Sequence, residues 1–178
     1  MDSTYKIYQN NPPHLFLPEC HYFITGATWH HVHHLQNPHA KARVVDYMFK
    51  SFAHYDWIIE DWVLLDNHYH IMARASHQPD ELPQIINNFH KFSALWLKKN
   101  IPLKTTPKIW HNYWDTCITY ESSYYARLHY IWYNPVKHGY EDDPADWKFG
   151  SFYTRDSHET ASIMQKYPID RVKINDDY

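Results

Sequence analysis

Two imidazoles and a phenol–carboxamide pair are the residues of this chain whose types and spacing can do chemistry. His68 and His70 stand two apart in Leu65-Asp66-Asn67-His68-Tyr69-His70-Ile71-Met72, a segment that reads as a strand. Alternation along a strand sends both rings to one face and Tyr69 and Ile71 to the other, so both can converge on one divalent ion. Tyr130 and Asn134 stand four apart in Tyr130-Ile131-Trp132-Tyr133-Asn134-Pro135-Val136-Lys137-His138-Gly139, which stacks them on one face of a helix. A phenol with an ordinary pKa of about 10 is a weak nucleophile at neutral pH unless a cation or general base assists it. An ion held by His68, His70 and the carbonyl oxygen of Asn134 keeps open positions for a phosphate oxygen and neutralises charge as the phenol attacks. Mixed nitrogen and oxygen ligands without thiolate suit Mg²⁺ or Mn²⁺, Mn²⁺ tolerating imidazole better; Zn²⁺ is compatible with the same set.

Each half has a bland reading beside the chemical one. With 16 histidines in 178 residues, one or two His-x-His pairs arise by chance, and His31-x-His33 is a second example. His68 and His70 also fit two partly buried, hydrogen-bonded strand histidines. Tyr130 fits a core ring, and Asn134 a helix end before a proline. The run His30-His31-Val32-His33-His34 can bind a transition metal or touch phosphate when protonated. It can equally be a polar end of the first strand.

The elements that must position these residues follow from hydrophobic period and turn signals. A first strand is expected over His21 to Trp29, then a helix over His39 to His54 with Asn37-Pro38 at its start. Strands over Trp57 to Leu65 and His68 to Ala73 are joined by the turn-forming Asp66-Asn67 pair. A second helix is expected over Glu81 to Leu97, a fourth strand over Ile109 to Tyr120, and a third helix over Glu121 to Tyr133, with Pro135 stopping it or following its end. The order β-α-β-β-α-β plus a helix predicts an α+β fold: a ferredoxin-like antiparallel sheet with helices on one face and a C-terminal tail. Residues 1–178 read as one domain, with an arm over 1–20 and a tail over 141–178 holding one more short helix.

Composition bounds the function class. The chain is 44% hydrophobic and 18% aromatic, so it is not disordered by composition. Only three glycines argue against glycine-rich phosphate loops, and Cys20 and Cys117 make no ligand or redox pair in sequence. No signal pattern or membrane-length apolar run is present, so a soluble cytoplasmic protein is expected. The net charge is −3, yet residues 84–139 carry seven Lys/Arg against two acids, with acidic segments on both sides. That pattern can present one basic face to phosphates or be an ordinary solvated surface.

The segment around His68 and His70 resembles the His-hydrophobic-His motif of the HUH single-strand nucleases. The segment from Tyr130 to Gly139 resembles the catalytic helix of the REP-associated tyrosine transposases. Supporting matches run along nearly the whole chain: Tyr22 to Trp29, Ile109-Trp110-His111, Trp147-Lys148-Phe149-Gly150-Ser151-Phe152 and Tyr167-Pro168-Ile169-Asp170. The resemblance implies an HUH nuclease fold that binds single-stranded DNA hairpins of repetitive extragenic palindromes. It implies cleavage by Tyr130 through a covalent 5′-phosphotyrosine and strand transfer by the reverse attack. His68 and His70 are then metal ligands for Mg²⁺ or Mn²⁺, with Asn134 as the third. It further implies a bacterial, nucleoid-associated protein, a monomer rather than a homodimer, acting in DNA transposition and recombination with no small-molecule substrate.

Arg74 and Lys137 are candidates for phosphate contacts near the cut, and Lys91 and Arg127 for contacts elsewhere in the basic middle. Trp110 is a candidate base-stacking ring, although a core role fits each aromatic as well. Two rivals stand beside this reading: a catalytically dormant hairpin-DNA or RNA-binding protein, and a structural metal-binding protein built on His30 to His34.

Overall fold

The computed structural model describes residues 5–6, 14–103, 108–155 and 157–166. A two-residue antiparallel pair, β1 (Tyr5–Lys6) with β2 (His14–Leu15), precedes the main elements. Those are β3 (His21–Thr28), α1 (Pro38–Ala53), β4 (Ile58–Leu64), β5 (His68–Arg74), α2 (Leu82–Asn100), β6 (Trp110–Ile118), α3 (Glu121–Lys137) and α4 (Ser157–Lys166). The sheet order is β4-β5-β3-β6 and every pairing is antiparallel. That is the ferredoxin-like order expected from the β-α-β-β-α-β pattern. The expected tail segment Tyr167 to Asp170 lies outside the described residues.

Local chemistry explains the helix starts. Asn37 caps α1, its Oδ1 accepting from the amides of His39 and Ala40 at 2.8 and 3.3 Å, with Pro38 in the first turn. Pro83 plays the same first-turn part in α2, and Lys98 and Lys99 sit in its last turn against the negative end of the helix dipole.

Alternation along the strands feeds two cores. Tyr22 and Ile24 of β3, with Tyr69, Ile71 and Ala73 of β5, bury against Val44, Met48 and Phe52 of α1 and Ile85, Ile86 and Phe89 of α2. Phe23 and Met72 point the other way and bury with Val63, Leu65 and Ile118 against Leu128, Tyr130, Ile131 and Trp132 of α3. The two crossover helices thus share one face as expected, while the helix after the last strand covers the opposite face. That second face is where the even-numbered residues of β5 point.

Three details set the frame for the site. Gly26 of β3 lies opposite Tyr69, and a Cβ there would overlap the Tyr69 ring, so only glycine lets that ring lie flat across the strand. A bulge in β4 between Ile59 and Asp61 switches faces, putting Ile59 with the α1/α2 core and Asp61 under α3. The expected stop of the third helix before Pro135 is corrected: α3 runs to Lys137 with Pro135 inside its last turn. So near the end, a proline interrupts little of the hydrogen-bond ladder. The chain instead leaves the helix at Gly139, whose φ of +71° is the left-handed cap that glycine favours.

Candidate active site

β5 and α3 bring the four chemical residues together. His68 and His70 project from the central strand β5, and Tyr130 and Asn134 from the face of α3 that packs on it. The His68 and His70 rings lie 5.2 Å apart by centroid, and the His70 and Tyr130 rings 4.9 Å apart, edge to face. His68 Nε2 is 3.0 Å from Asn134 Oδ1. All four are buried, His70 and Asn134 completely.

Burial sets the protonation of the imidazoles. Desolvation, with the neighbouring His138 adding to it, pushes the His68 pKa down to about 4. Desolvation, with the nearby His68, His138 and Lys137, holds His70 well below the ordinary range. Both rings are therefore neutral at physiological pH, the form in which imidazole binds a metal.

A neutral ring carries one N–H, and His68 has a claimant for it on each side. Asn67 Oδ1 lies 2.7 Å from Nδ1. The orientation of that amide is settled by its other end, since Asn67 Nδ2 donates to the carbonyl of His31 at 3.2 Å. With its proton on Nδ1 donated to Asn67, His68 turns the Nε2 lone pair toward Asn134, which is the tautomer that can ligate a metal. Asn134 Nδ2 is buried and has no hydrogen-bond partner among the described residues, nor has the Tyr130 hydroxyl. Two lone pairs at about 3 Å beside an unsatisfied amide fit two ligands of one small divalent ion. The residues present therefore fit the metal that the motif implies. Among the described residues no group of three or more His, Cys, Asp or Glu side chains is placed to hold a metal ion, so the His30 to His34 run forms no such centre.

His70 is oriented by Thr25, whose Oγ1 is 2.8 Å from its Nδ1 and which lies directly opposite it in the β3–β5 register. Its other face stacks on Phe23 at 5.5 Å and 7°. Asn67 and Thr25 hold the candidate ligands and are residues that sequence reasoning did not find. Asn67 was visible only as a turn former, and Thr25 needs the strand register to be seen. His138 is a third, its ring 4.9 Å from His68. The turn before β5 is held by a buried ion pair, Lys41 of α1 to Asp66 at 2.5 Å, with Lys41 also lying over the rings of Trp147 and Phe149.

The candidate DNA contacts divide into two groups. Lys137 holds its ammonium 4.9 Å from the centre of the Tyr130 ring. Arg127 lies over Phe23, the ring that stacks on His70, and is bonded to Ser123 one turn back. Arg74 sits at the far end of β5, 3.6 Å from Glu60, which also contacts His21 and the Tyr124 hydroxyl. Lys91 is on α2, across the sheet from Tyr130. Trp110 is 3% exposed, donates its indole N–H to Ser93 at 2.9 Å and stacks on His90. A bulge in the β3–β6 pairing turns Trp110 into the α2 core, on the face of the sheet opposite Tyr130.

No family model matches the chain. It is 28% identical over 159 residues to the REP-associated tyrosine transposase of Escherichia coli (strain K12), covering 84% of this chain and 87% of the relative. A relative of the same description in Haemophilus influenzae is 31% identical over 77 residues, 42% of this chain and 36% of that one. A solved structure of a REP-associated tyrosine transposase bound to a REP hairpin matches with a TM-score of 0.67 at 20% identity, over 97% of this chain and 94% of that one. That likeness establishes the shared fold. Among the described residues no helix is long and apolar enough to cross a membrane.

Proposed function

Starting from a chain that is homologous to the REP-associated tyrosine transposases, we propose that it cuts and rejoins single-stranded DNA at palindromic hairpins, with Tyr130 as nucleophile. The observation that carries this reading is the meeting of His68 Nε2, Asn134 Oδ1, the His70 ring and the Tyr130 ring under α3. In this reading the Tyr130 oxygen forms a bond to phosphorus as the bond from phosphorus to the 3′ oxygen breaks. The products are a 5′-phosphotyrosine and a free 3′-hydroxyl, and the phosphodiester energy is retained for rejoining. The phenolic proton leaves Tyr130 and a proton is delivered to the 3′ oxygen, so the step is balanced without ATP.

His68, His70 and Asn134 would hold the Mg²⁺ or Mn²⁺ ion, which supplies charge neutralisation at the phosphate. Asn67 and Thr25 keep the two imidazoles in the ligating tautomer and orientation. Lys137 places a positive charge beside the phenol, suited to a non-bridging phosphate oxygen. Because the Tyr130 hydroxyl is buried, cleavage requires that it be uncovered to reach a phosphate. That same burial favours the dormant hairpin-binding protein as the second reading.

Incubation with hairpin-bearing single-stranded DNA and Mn²⁺, followed by a denaturing gel, separates the two. The expected result is a covalent adduct that Tyr130→Phe abolishes while hairpin binding persists. An adduct surviving in Tyr130→Phe overturns the assignment of the nucleophile. Hairpin binding with no adduct under Mg²⁺ or Mn²⁺ selects the dormant reading.

A further inference from the structure

The even face of the sheet continues past the candidate active site to an aromatic wall. Thr25 lies opposite His70 on one side and opposite Trp114 on the other, so His70, Thr25 and Trp114 form one row across β5, β3 and β6. Directly opposed residues of antiparallel strands share a face. With strands about 4.8 Å apart, Trp114 stands roughly 10 Å from His70 on the same surface.

At the end of that row three rings stack. Trp29 lies on His111 with centroids 5.2 Å apart and planes 20° apart, and His111 lies on Trp114 at 5.5 Å and 10°. These rings are neither core nor fully solvated; all three are partly buried. With Ala27, Thr28, His30 and His31 they line a cavity of about 260 Å³. That is slightly below the roughly 300–1,000 Å³ of pockets for drug-sized ligands, a size suited to a single planar ring system. Lys108 places its ammonium 4.6 Å over the Trp29 ring, adding positive charge at the rim.

The cavity wall is also tied to the active site. His30 and His31 hold φ of +54° and +53°, a conformation costly for residues with a Cβ. The segment is pinned by Thr28 N to Asn67 O at 2.7 Å, Trp29 N to Ile109 O at 2.7 Å and Asn67 Nδ2 to His31 O. Asn67 therefore bonds the pocket loop with one end of its amide and His68 with the other.

We propose that the Trp29–His111–Trp114 cavity receives one unpaired nucleobase of the single-stranded DNA flanking the cleaved phosphodiester. The proposal rests on the DNA-cleaving reading of the His68/Tyr130 site. Parallel π faces bind any base by stacking, and the row through Thr25 sets the pocket within a few nucleotides of the reacting phosphate. Asn67 makes occupancy of the pocket and orientation of His68 parts of one hydrogen-bonded unit.

The test measures binding of fluorescent hairpins with single-stranded tails by anisotropy, using the full chain in a Tyr130→Phe background to prevent turnover. The tails carry ordinary bases or one abasic residue at successive positions. One abasic position is expected to weaken binding at least about fivefold. His111→Leu and Trp114→Ala are expected to weaken binding to the intact tail by a similar factor, and the critical abasic residue should then cost nothing more. His111→Leu keeps apolar bulk, and a thermal melt confirms that each variant is folded. Additive losses, or a tail in which no abasic position matters, overturn the pocket while leaving the nuclease reading to its own adduct assay. Failure of any tailed hairpin to bind overturns both.

Discussion

His68 Nε2 faces Asn134 Oδ1 across 3.0 Å, while on the opposite side of the ring Nδ1 lies 2.7 Å from Asn67 Oδ1. A strand residue and a helix residue 66 positions apart in sequence thus meet in a buried space. Left uncompensated, the unsatisfied Asn134 amide nitrogen costs on the order of 1–3 kcal/mol. In the proposed reading a cation held by both His68 and Asn134 would offset that cost.

Asn67 follows as a positioning residue with a measurable signature. Asn67→Ala removes the acceptor that holds the His68 proton on Nδ1, and so lets the ring take the non-ligating tautomer. Mn²⁺ affinity measured by calorimetry should fall about 10- to 100-fold, the usual effect of losing a group behind a metal-bound histidine. Circular dichroism should be unchanged. Undiminished Mn²⁺ binding would show that Asn67 serves the turn alone.

Asp61 is the fastening of α3 to the sheet. Its carboxylate, wholly buried, accepts from the Trp132 indole at 2.8 Å, Ser151 Oγ at 2.7 Å and Arg155 Nη2 at 3.0 Å. Asp61→Ala strands the Arg155 charge and the other donors, which should cost about 3–5 kcal/mol in urea unfolding. Because Trp132 is two residues from Tyr130, hairpin cleavage by the folded fraction should fall as well. A loss below about 1 kcal/mol would mean that Arg155 finds solvent without penalty.

Stability should decline in acid because of histidines that stay neutral when folded. Desolvation, with Lys108 adding to it, pushes the His90 pKa down to about 3, against 6.5 for the unfolded chain. Between those values the unfolded state binds a proton that the native state refuses, so stability is full above about pH 6.5 and falls as pH drops toward 3. The slope is about 1.4 kcal/mol per pH unit for each such group. Urea midpoints at pH 7, 6, 5 and 4 should fall progressively, and His90→Gln should flatten the profile by about one proton. Equal midpoints at pH 7 and 5 would contradict this account.

The sequence by itself determined what is local. Period-two alternation put His68 and His70 on one face, period 3.6 put Tyr130 with Asn134, and Asn37-Pro38 marked the start of α1 close to where it lies. These follow from backbone geometry that each segment carries alone. Only the tertiary structure decided which faces meet. α3 crosses to the side of the sheet opposite α1 and α2, and the order β4-β5-β3-β6 puts Thr25 beside His70 and Trp114 two strands from it. Trp110 and His111 show the same divide: adjacent aromatic residues on one edge strand, of which a bulge buries the first and leaves the second on the outer stack. A bulge is one extra residue whose effect appears only when the neighbouring strand is in place. Asn67 likewise joined the candidate site only when folding brought His31 to one end of its amide and His68 to the other.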